Sequence, residues 1–511
     1  MPENPTSDRV APSWGAHALA AVPLALTAWI YHPVLRVGFF ADDLACLASI
    51  ESDGIFRFLL CPFGGHNLLV RNAAFVATWE VFGLRPDLFF WTVLLTHLLN
   101  VWLLFRLLRT LTGSAMLACF GATIWGTSPL AIGTLGWYSV YGQSLAATIL
   151  LIVLDQLARL SVGGGSVSSA RAWLWYGLLL AGTMCFGVGI GVALCFPVIL
   201  FLLLPAAWSR RALRAAYLLL PIVTVALYIG YRRLAAHLEP PSVEELMQEY
   251  ILRTGYVWIP AMLAQLLLFA SASTMLGFLL PAVPPTPLTL TLGAAFAAGV
   301  VFVLWRGDGR TRRTALAMIA LAATIYFAIA AGRAALYAML EFSPARAASI
   351  QRYHYVGSLP IVVLLCLILR EVARLPAVRL VPAPLALVVG LAPVAYGIRQ
   401  GIPVQEYGGA RDYLRRTGDE IMAGVRAHPP GTTVYLENEH TPNFVLGPAL
   451  PGPLFPGRAG VFVLLHRSDQ VEGRTVRFLE PDGEINAFYA LRPNSRLTKL
   501  LVNPQDVAAQ H

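Results

Sequence analysis

Two adjacent carboxylates, Asp42 and Asp43, follow the first apolar stretch of a chain in which acidic residues are scarce, 28 among 511. The text leading to them reads His32-Pro-Val-Leu-Arg-Val-Gly-Phe-Phe-Ala41. A carboxylate pair at the mouth of a membrane helix suits general-base chemistry. Ionisable groups at that depth usually serve a pathway or a reaction. The plain rival is that one of the two caps a helix beginning at Leu44, since Asx residues are common N-caps. His66, beside Gly64-Gly65 in the same stretch, is placed to meet a substrate or a metal, or to be an ordinary loop residue. His97 lies in an apolar helix and reads as a satisfied core group. Trp137, Tyr138 and Tyr141 fit an interfacial aromatic belt as well as a platform for a sugar ring.

The elements that must position these residues are set by lipid. Hydrophobic residues make up 57% of the chain and charged residues 13%, with a mean hydropathy of +0.65. That is far below the roughly 25% charge of soluble proteins. In a bilayer each backbone polar group must be satisfied within its own segment, so the apolar runs read as helices. They fall at about 14–31, 88–108, 115–132, 143–160, 173–187, 189–206, 215–233, 258–280, 287–305, 314–332, 354–370 and 380–397. The segment from Trp173 to Trp208 is too long for one crossing and splits at Gly187-Val-Gly-Ile-Gly191. No small-residue cleavage site follows the first run, which reads as a retained anchor rather than a signal peptide. Of the six cysteines, Cys119, Cys185, Cys195 and Cys366 lie in apolar runs as small core residues. Cys46 and Cys61 are either two buried thiols or a disulfide in the first loop. No C-x-x-C spacing supports zinc.

The net charge of +9 is nearly all arginine, Lys499 being the single lysine. Most arginines sit beside the apolar runs, as in loops next to a membrane, and this argues against nucleic acid as a partner. Cytoplasmic placement of Arg106/Arg109, Arg159/Arg171, Arg210/Arg211/Arg214, Arg306/Arg310/Arg312/Arg313 and Arg370/Arg374/Arg379 puts the N-terminus inside and Asp42-Asp43 outside. Parity then requires one run among 215–233, 258–280 and 287–305 not to cross. Its bracketing prolines single out 258–280 as a re-entrant segment, with 215–233 as the rival, because Arg232-Arg233 stand at its far end. The expected fold is mainly α: a polytopic helical membrane protein of eleven crossings plus one re-entrant segment. Four arginines are left on the outer side against the bias, Arg71, Arg333, Arg346 and Arg352. A guanidinium holds phosphate through paired bonds without losing its proton. Arg352 could instead pair with Glu341 or with lipid headgroups.

From about Arg399 charge and turns return. Gly408 to Arg426 reads as an amphipathic helix. Thr432-Thr-Val-Tyr-Leu436, Gly460-Val-Phe-Val-Leu-Leu465 and Thr475-Val-Arg-Phe-Leu479 read as strands. Residues 399–511 are therefore expected to form a small extracytoplasmic α/β domain after a transmembrane module of residues 1–398. The first outer loop spans 32–87.

The order of these features resembles the GT-C-type polytopic glycosyltransferases, which include protein O-mannosyltransferases and aminoarabinose transferases. Beyond the acidic pair, the resemblance is carried by Gly65-His-Asn-Leu-Leu-Val-Arg71, Phe82-Gly-Leu-Arg-Pro-Asp-Leu-Phe-Phe90 and Leu94-Leu-Thr-His-Leu-Leu-Asn-Val101. Gly136-Trp-Tyr-Ser-Val-Tyr-Gly-Gln143 and Gln351-Arg-Tyr-His-Tyr355 extend it. It covers about residues 14–370 and is densest in 30–145. Many relatives have Arg-Pro where this chain has Arg71-Asn72, and Asp-Glu where it has Asp42-Asp43. The Trp-Trp-Asp motif of oligosaccharyltransferases is absent.

The resemblance implies transfer of a sugar from a polyprenyl-phosphate donor to a lipid, glycan or protein acceptor on the outer face of the membrane. The Ala/Arg/Gly/Pro bias resembles that of a GC-rich bacterial genome, and the expected membrane is the bacterial cytoplasmic (inner) membrane. Asp42 would be the base, with Asp43 orienting acceptor or metal. Arg71, His66, Arg333, Arg352, Tyr353, Trp137 and Tyr138 would bind substrate. A divalent cation, Mg or Mn, between the carboxylates and phosphate is compatible with hard-ion chemistry, but one Asp pair does not demand it. Two alternatives share the arginines and the helical shell: a transporter or flippase for a lipid-linked sugar, and a non-catalytic envelope assembly protein. A transporter often shows internal repeats, and the second half of this chain does not repeat the first.

Overall fold

The computed structural model describes residues 14–39, 42–62, 66–206, 210–236, 256–276, 286–339, 341–375, 408–438, 457–466, 468–479 and 499–502. Helix α1 (Trp14–Tyr31) leads into a first loop that is itself helical, with α2 (Asp42–Asp53), α3 (Ile55–Leu60) and α4 (Leu69–Phe82). The chain continues through α5 (Pro86–Thr112), α6 (Ala115–Gly126), α7 (Ile132–Leu135), α8 (Tyr141–Gly163), α9 (Ser169–Thr183), α10 (Val188–Leu203) and α11 (Arg211–Ala236). After these come α12 (Tyr256–Leu276), α13 (Pro287–Arg306), α14 (Gly309–Met339), α15 (Pro344–Ala348) and α16 (His354–Ala373). The last elements are α17 (Gly408–Arg426), β1 (Thr433–Glu437), α18 (Arg458–Leu465), β2 (Gln470–Val471), β3 (Arg474–Leu479) and β4 (Leu501–Val502).

Among the described residues eight helices are long and apolar enough to cross a membrane, or nine when α6 and α7, bent by 46° at a break, count as one span. The protein is a polytopic helical membrane protein. Its packing follows from which helices bear apolar residues all round. Helix α16 is enclosed, with 72% of its apolar window buried. It touches α5, α6 and α8 on one side and α12, α13 and α14 on the other. Helices α11 and α13, each with 17% buried, present Leu218, Ile222, Leu290 and Val301 outward, where lipid would lie. The paired helices α10 and α14, and α5 with α6 and α8, make up the rest of the interior.

The arginine clusters gather at one end. Arg106 at the end of α5 pairs with Asp155 of α8 at 2.8 Å, and Arg159 joins the same carboxylate at 3.2 Å. Arg370 of α16 donates to Leu111 O and Thr311 Oγ1 and lies 3.5 Å from Asp308. Arg210 donates to Val167 O at 2.6 Å. These contacts tie together the ends of α5, α8 and α16, the starts of α11 and α14, and the α8–α9 turn, as the charge pattern requires.

The described part of the run at 258–280, expected to be re-entrant, is α12, a continuous 21-residue helix with the length and hydropathy of a span. Pro260 falls near its start, where a missing N–H removes little of the backbone ladder, and the connections 237–255 and 277–285 lie outside the described residues. Two expectations are corrected. The run at 115–132, read as one crossing, breaks after Gly126. Gly460–Leu465, read as a strand, is helical. Ala459–Leu464 are six consecutive buried residues, and an apolar run without alternation suits an enclosed helix as well as a strand. The split near 187 is present, centred on Met184–Gly187 between α9 and α10. The run at 380–397 lies outside the described residues.

The C-terminal elements form a small sheet in the order β1-β3-β2, with β4 also on β3. Strand β1 runs parallel to β3, in register Val434↔Val476 and Leu436↔Phe478, and β2 runs antiparallel to β3. Parallel neighbours need a crossover, and α18 supplies it. Helix α18 also packs against α2, the helix that begins with the acidic pair.

Candidate functional site

Helix α2 begins at Asp42. The Asp43 carboxylate is fully buried. Its Oδ1 accepts from Ser139 N at 2.6 Å and Ser139 Oγ at 2.8 Å, and Oδ2 from Tyr138 N at 3.4 Å. Asp43 therefore braces α2 against the turn that opens α8. The N-cap reading fails for it, since the helix starts earlier and its bonds cross the chain. The Asp42 side chain lies outside the described residues.

The same turn leads to the first arginine. Cys46, also on α2, has Sγ 3.9 Å from Ser139 Oγ and accepts from Arg71 Nη1 at 3.2 Å. Arg71 sits on α4, 1% exposed, with its guanidinium 5.5 Å from the Phe75 ring centre. Gly142 lets this corner close: a Cβ there would lie 2.0 Å from Cys185 O and 3.2 Å from Arg71 Cβ. Asp43, Ser139, Cys46 and Arg71 thus form one connected chain from carboxylate to guanidinium. None of the six cysteines is in a disulfide, so Cys46 and Cys61 form no bridge.

His66 lies across from Arg71. Its Nε2 lies 2.6 Å from Arg333 Nη2. A guanidinium only donates, so Nε2 accepts and the ring is neutral, with its proton on Nδ1. The ring stacks on Phe186 at 4.5 Å, and Gly187 leaves the room it needs, since a Cβ there would lie 2.7 Å from Nδ1. Burial, and then the charges of Arg333, Arg71, Arg232 and Arg352, hold its pKa well below the ordinary imidazole value. Arg333 of α14 thus meets this histidine directly, and the charges of Arg71 on α4, Arg232 on α11 and Arg352 in the turn before α16 act on the same ring. Arg352 packs 5.1 Å from the Trp137 ring centre and 5.3 Å from Tyr353, and donates to Tyr337 Oη at 3.4 Å. The Tyr337 and Tyr353 hydroxyls are hydrogen-bonded to each other.

The sequence-predicted residues divide clearly. Arg71, His66, Arg333, Arg352, Tyr353 and half-buried Trp137 come together at the end of the bundle opposite the arginine clusters, with Asp43 one contact chain away. Tyr138 does not join them. It is fully buried, stacked on Tyr141 and ringed by Phe75 and Phe89, and its hydroxyl lies 2.9 Å from Thr78 Oγ1. It is neither a sugar platform nor a belt residue, and Tyr141 is buried with it. Arg346 is exposed and stacks on Phe342, apart from the cluster. Arg352 meets Tyr337, Trp137 and Tyr353 rather than Glu341. His97 is a satisfied core group, with its ring nitrogens on Tyr355 Oη and Gly126 O.

Sequence reading missed Arg232, Tyr337 and the Cys46–Ser139 link. A signal existed for Arg232, since the chosen topology already set Arg232-Arg233 outside, against the arginine bias. Among the described residues no group of three or more His, Cys, Asp or Glu could hold a metal ion. Asp43 accepts from Tyr138 N, Ser139 N and Ser139 Oγ, and the side chain of Asp42, its expected partner in a metal site, lies outside the described residues.

No protein-family model matches the chain, and no curated protein does. Among solved structures it is similar to the crystal structure of ArnT from Cupriavidus metallidurans bound to undecaprenyl phosphate. The two are 13% identical, with a TM-score of 0.46 over 98% of this chain and 91% of that one.

Proposed function

We propose that this chain is a membrane glycosyltransferase, moving a sugar from a polyprenyl-phosphate donor to an acceptor on the outer face of the membrane. The observation that carries the reading is the contact of Arg333 with His66, a ring on which the charges of Arg71, Arg232 and Arg352 also act, at the same end of the bundle as the helix headed by Asp42-Asp43. Arginines on that side are disfavoured by topology, and an anionic carrier phosphate gives them a reason to be there. The sequence motifs that resemble GT-C enzymes bring the same residues together.

In this reading the acceptor hydroxyl oxygen attacks the anomeric carbon and forms the new C–O bond. Its proton passes to the Asp42 carboxylate. The bond between the anomeric carbon and the carrier phosphate oxygen breaks, and its electron pair leaves with the phosphate. The arginines neutralise that developing charge from fixed positions. Neutral His66, held by Arg333, acts as a hydrogen-bonding group rather than a further cation. Asp43 keeps α2 in place and takes no proton. No step in this reading is routed through a metal. Helix α18 of the C-terminal elements packs on α2.

The test is Asp42→Asn. Loss of a general base should cut transfer about 100-fold or more while the protein still inserts and binds undecaprenyl phosphate. Near-normal turnover in that variant sinks the assignment. Loss of carrier binding in Arg333→Ala and Arg352→Ala, with insertion intact, is expected alongside; full binding in both would remove the phosphate site.

A further inference from the structure

Arg352 and Tyr353 of the motif Gln351-Arg-Tyr-His-Tyr355 stand at the site. Tyr355 turns into the bundle, where its hydroxyl meets His97 and Asn100 of α5. His354, between them, is fully buried, stacked on Phe269 of α12, and bonded at both ring nitrogens.

Those two bonds have a definite sense. Nε2 lies 2.6 Å from Ala348 O, and a carbonyl only accepts, so this nitrogen carries the ring proton. Nδ1 then accepts the Tyr326 O–H at 3.0 Å. The first bond caps the last carbonyl of α15 and closes the loop Ala348–His354 at its ends. Only Ser349, Ile350 and Gln351 separate Ala348 from Arg352. The second bond ties that closed loop to α14, where Tyr326 precedes Arg333 by seven residues, about two helical turns. Gly357, one turn further along α16, lets the two helices meet there, since a Cβ would lie 2.5 Å from Cζ of the Tyr326 ring. Helix α7 also comes against the loop: a Cβ at Gly133 would lie 3.0 Å from Arg352 N. The backbone of Arg352 is therefore held by α7 and by a loop that His354 closes.

A phosphate gripped by two arginines gains most when their separation is fixed before it arrives, because ordering the chain on binding offsets the gain. We infer that His354 is the positioning residue that sets Arg352 against Arg333, by closing the loop that carries the one and tying it to the helix that carries the other. The inference rests on the carrier-phosphate reading of those arginines.

The experiment measures undecaprenyl phosphate binding to the purified full-length protein in lipid nanodiscs. Wild type, His354→Leu, His354→Gln, Arg352→Ala and the double variant His354→Leu/Arg352→Ala are compared. Arg352→Ala should weaken binding about tenfold or more, as loss of a charge-assisted bond does. His354→Leu should weaken it about threefold or more, and His354→Gln, whose amide N–H can reach Ala348 O, should restore most of that loss. In the double variant the leucine should cost nothing beyond Arg352→Ala, because a loop without its guanidinium has nothing to position. His354→Leu binding like wild type overturns the inference while the phosphate site stands. So does an equal loss from the leucine in both backgrounds, which marks a general loosening of the fold. Arg352→Ala binding like wild type removes the phosphate site at Arg352, and the role of His354 with it. If His354→Leu does not fold, Tyr326→Phe, which removes one tether and keeps the ring, takes its place in the same cycle with the same outcomes.

Discussion

Asp43 and its neighbour Asp42 are separated by one peptide bond and by role. The Asp43 carboxylate holds three donors in a fully buried place, and it keeps α2 against the start of α8. Asp43→Asn would turn an amide NH2 toward N–H donors and remove charge-assisted bonds. It should cost roughly 2–3 kcal/mol, seen as a lower melting temperature and a poorer yield, whereas Asp42→Asn should melt like wild type. Equal stability in the two variants would show that Asp43 is no brace. The acidic pair was legible from scarcity and position, but its division of labour was not, because Ser139 approaches from 96 residues away. Tyr138 was misread for a related reason. An aromatic in an outer turn looks accessible until Phe75 and Phe89 are known to close over it. His66 offers a pH test. Its folded pKa lies well below the ordinary value, from burial first and Arg333 next. As pH falls below about 6.5, the unfolded chain takes a proton that the folded site refuses, so stability falls with pH. His66→Gln keeps an acceptor for Arg333 and should flatten that fall between pH 6.5 and 5; an unchanged slope assigns the titration elsewhere.

At the scale of elements, sequence periodicity found the long helices because lipid imposes a strong pattern, and α17 and strands β1 and β3 because their turns are well marked. It failed at α18. The run Val461-Phe-Val-Leu-Leu465 is β-branched and aromatic enough for a strand, and only its burial among α17, α2 and the sheet chooses helix. That failure matters for function. As a strand the segment belongs to a separate outer domain; as a helix packed on α2 it supports the element that begins with Asp42-Asp43. Removing residues 399–511 should therefore leave insertion and carrier binding intact, with α2 uncovered on one face. Small misplacements of a base are costly, so transfer should fall about tenfold or more in the truncated protein. Undiminished transfer would make the packing of α18 on α2 incidental.

The whole molecule is polarised. Arg310 and Arg333 stand 23 residues apart on the single helix α14, about 35 Å at 1.5 Å per residue, close to the roughly 30 Å of a hydrocarbon core. One end carries Arg310 together with Arg106, Arg159 and Arg370, the last three braced by Asp155, Asp308 and Glu371. The other carries Arg71, Arg232, Arg333 and Arg352, gathered around His66. Arginine-rich ends belong in the cytoplasm, and in the first set Arg106, Arg159 and Arg370 are paired with carboxylates. The second set is drawn together by fold, from four separate elements, which loop charge alone does not explain. Orientation is thus a prediction that the donor chemistry depends on. Ser343→Cys, exposed just beyond α14 at the site end, should react with an impermeant thiol reagent in intact cells. Arg312→Cys, exposed at the other end, should react only after lysis. The reverse pattern would turn the site toward the cytoplasm, where an outer-face acceptor could not reach it, and the arginine cluster would then need a cytoplasmic phosphate as its ligand.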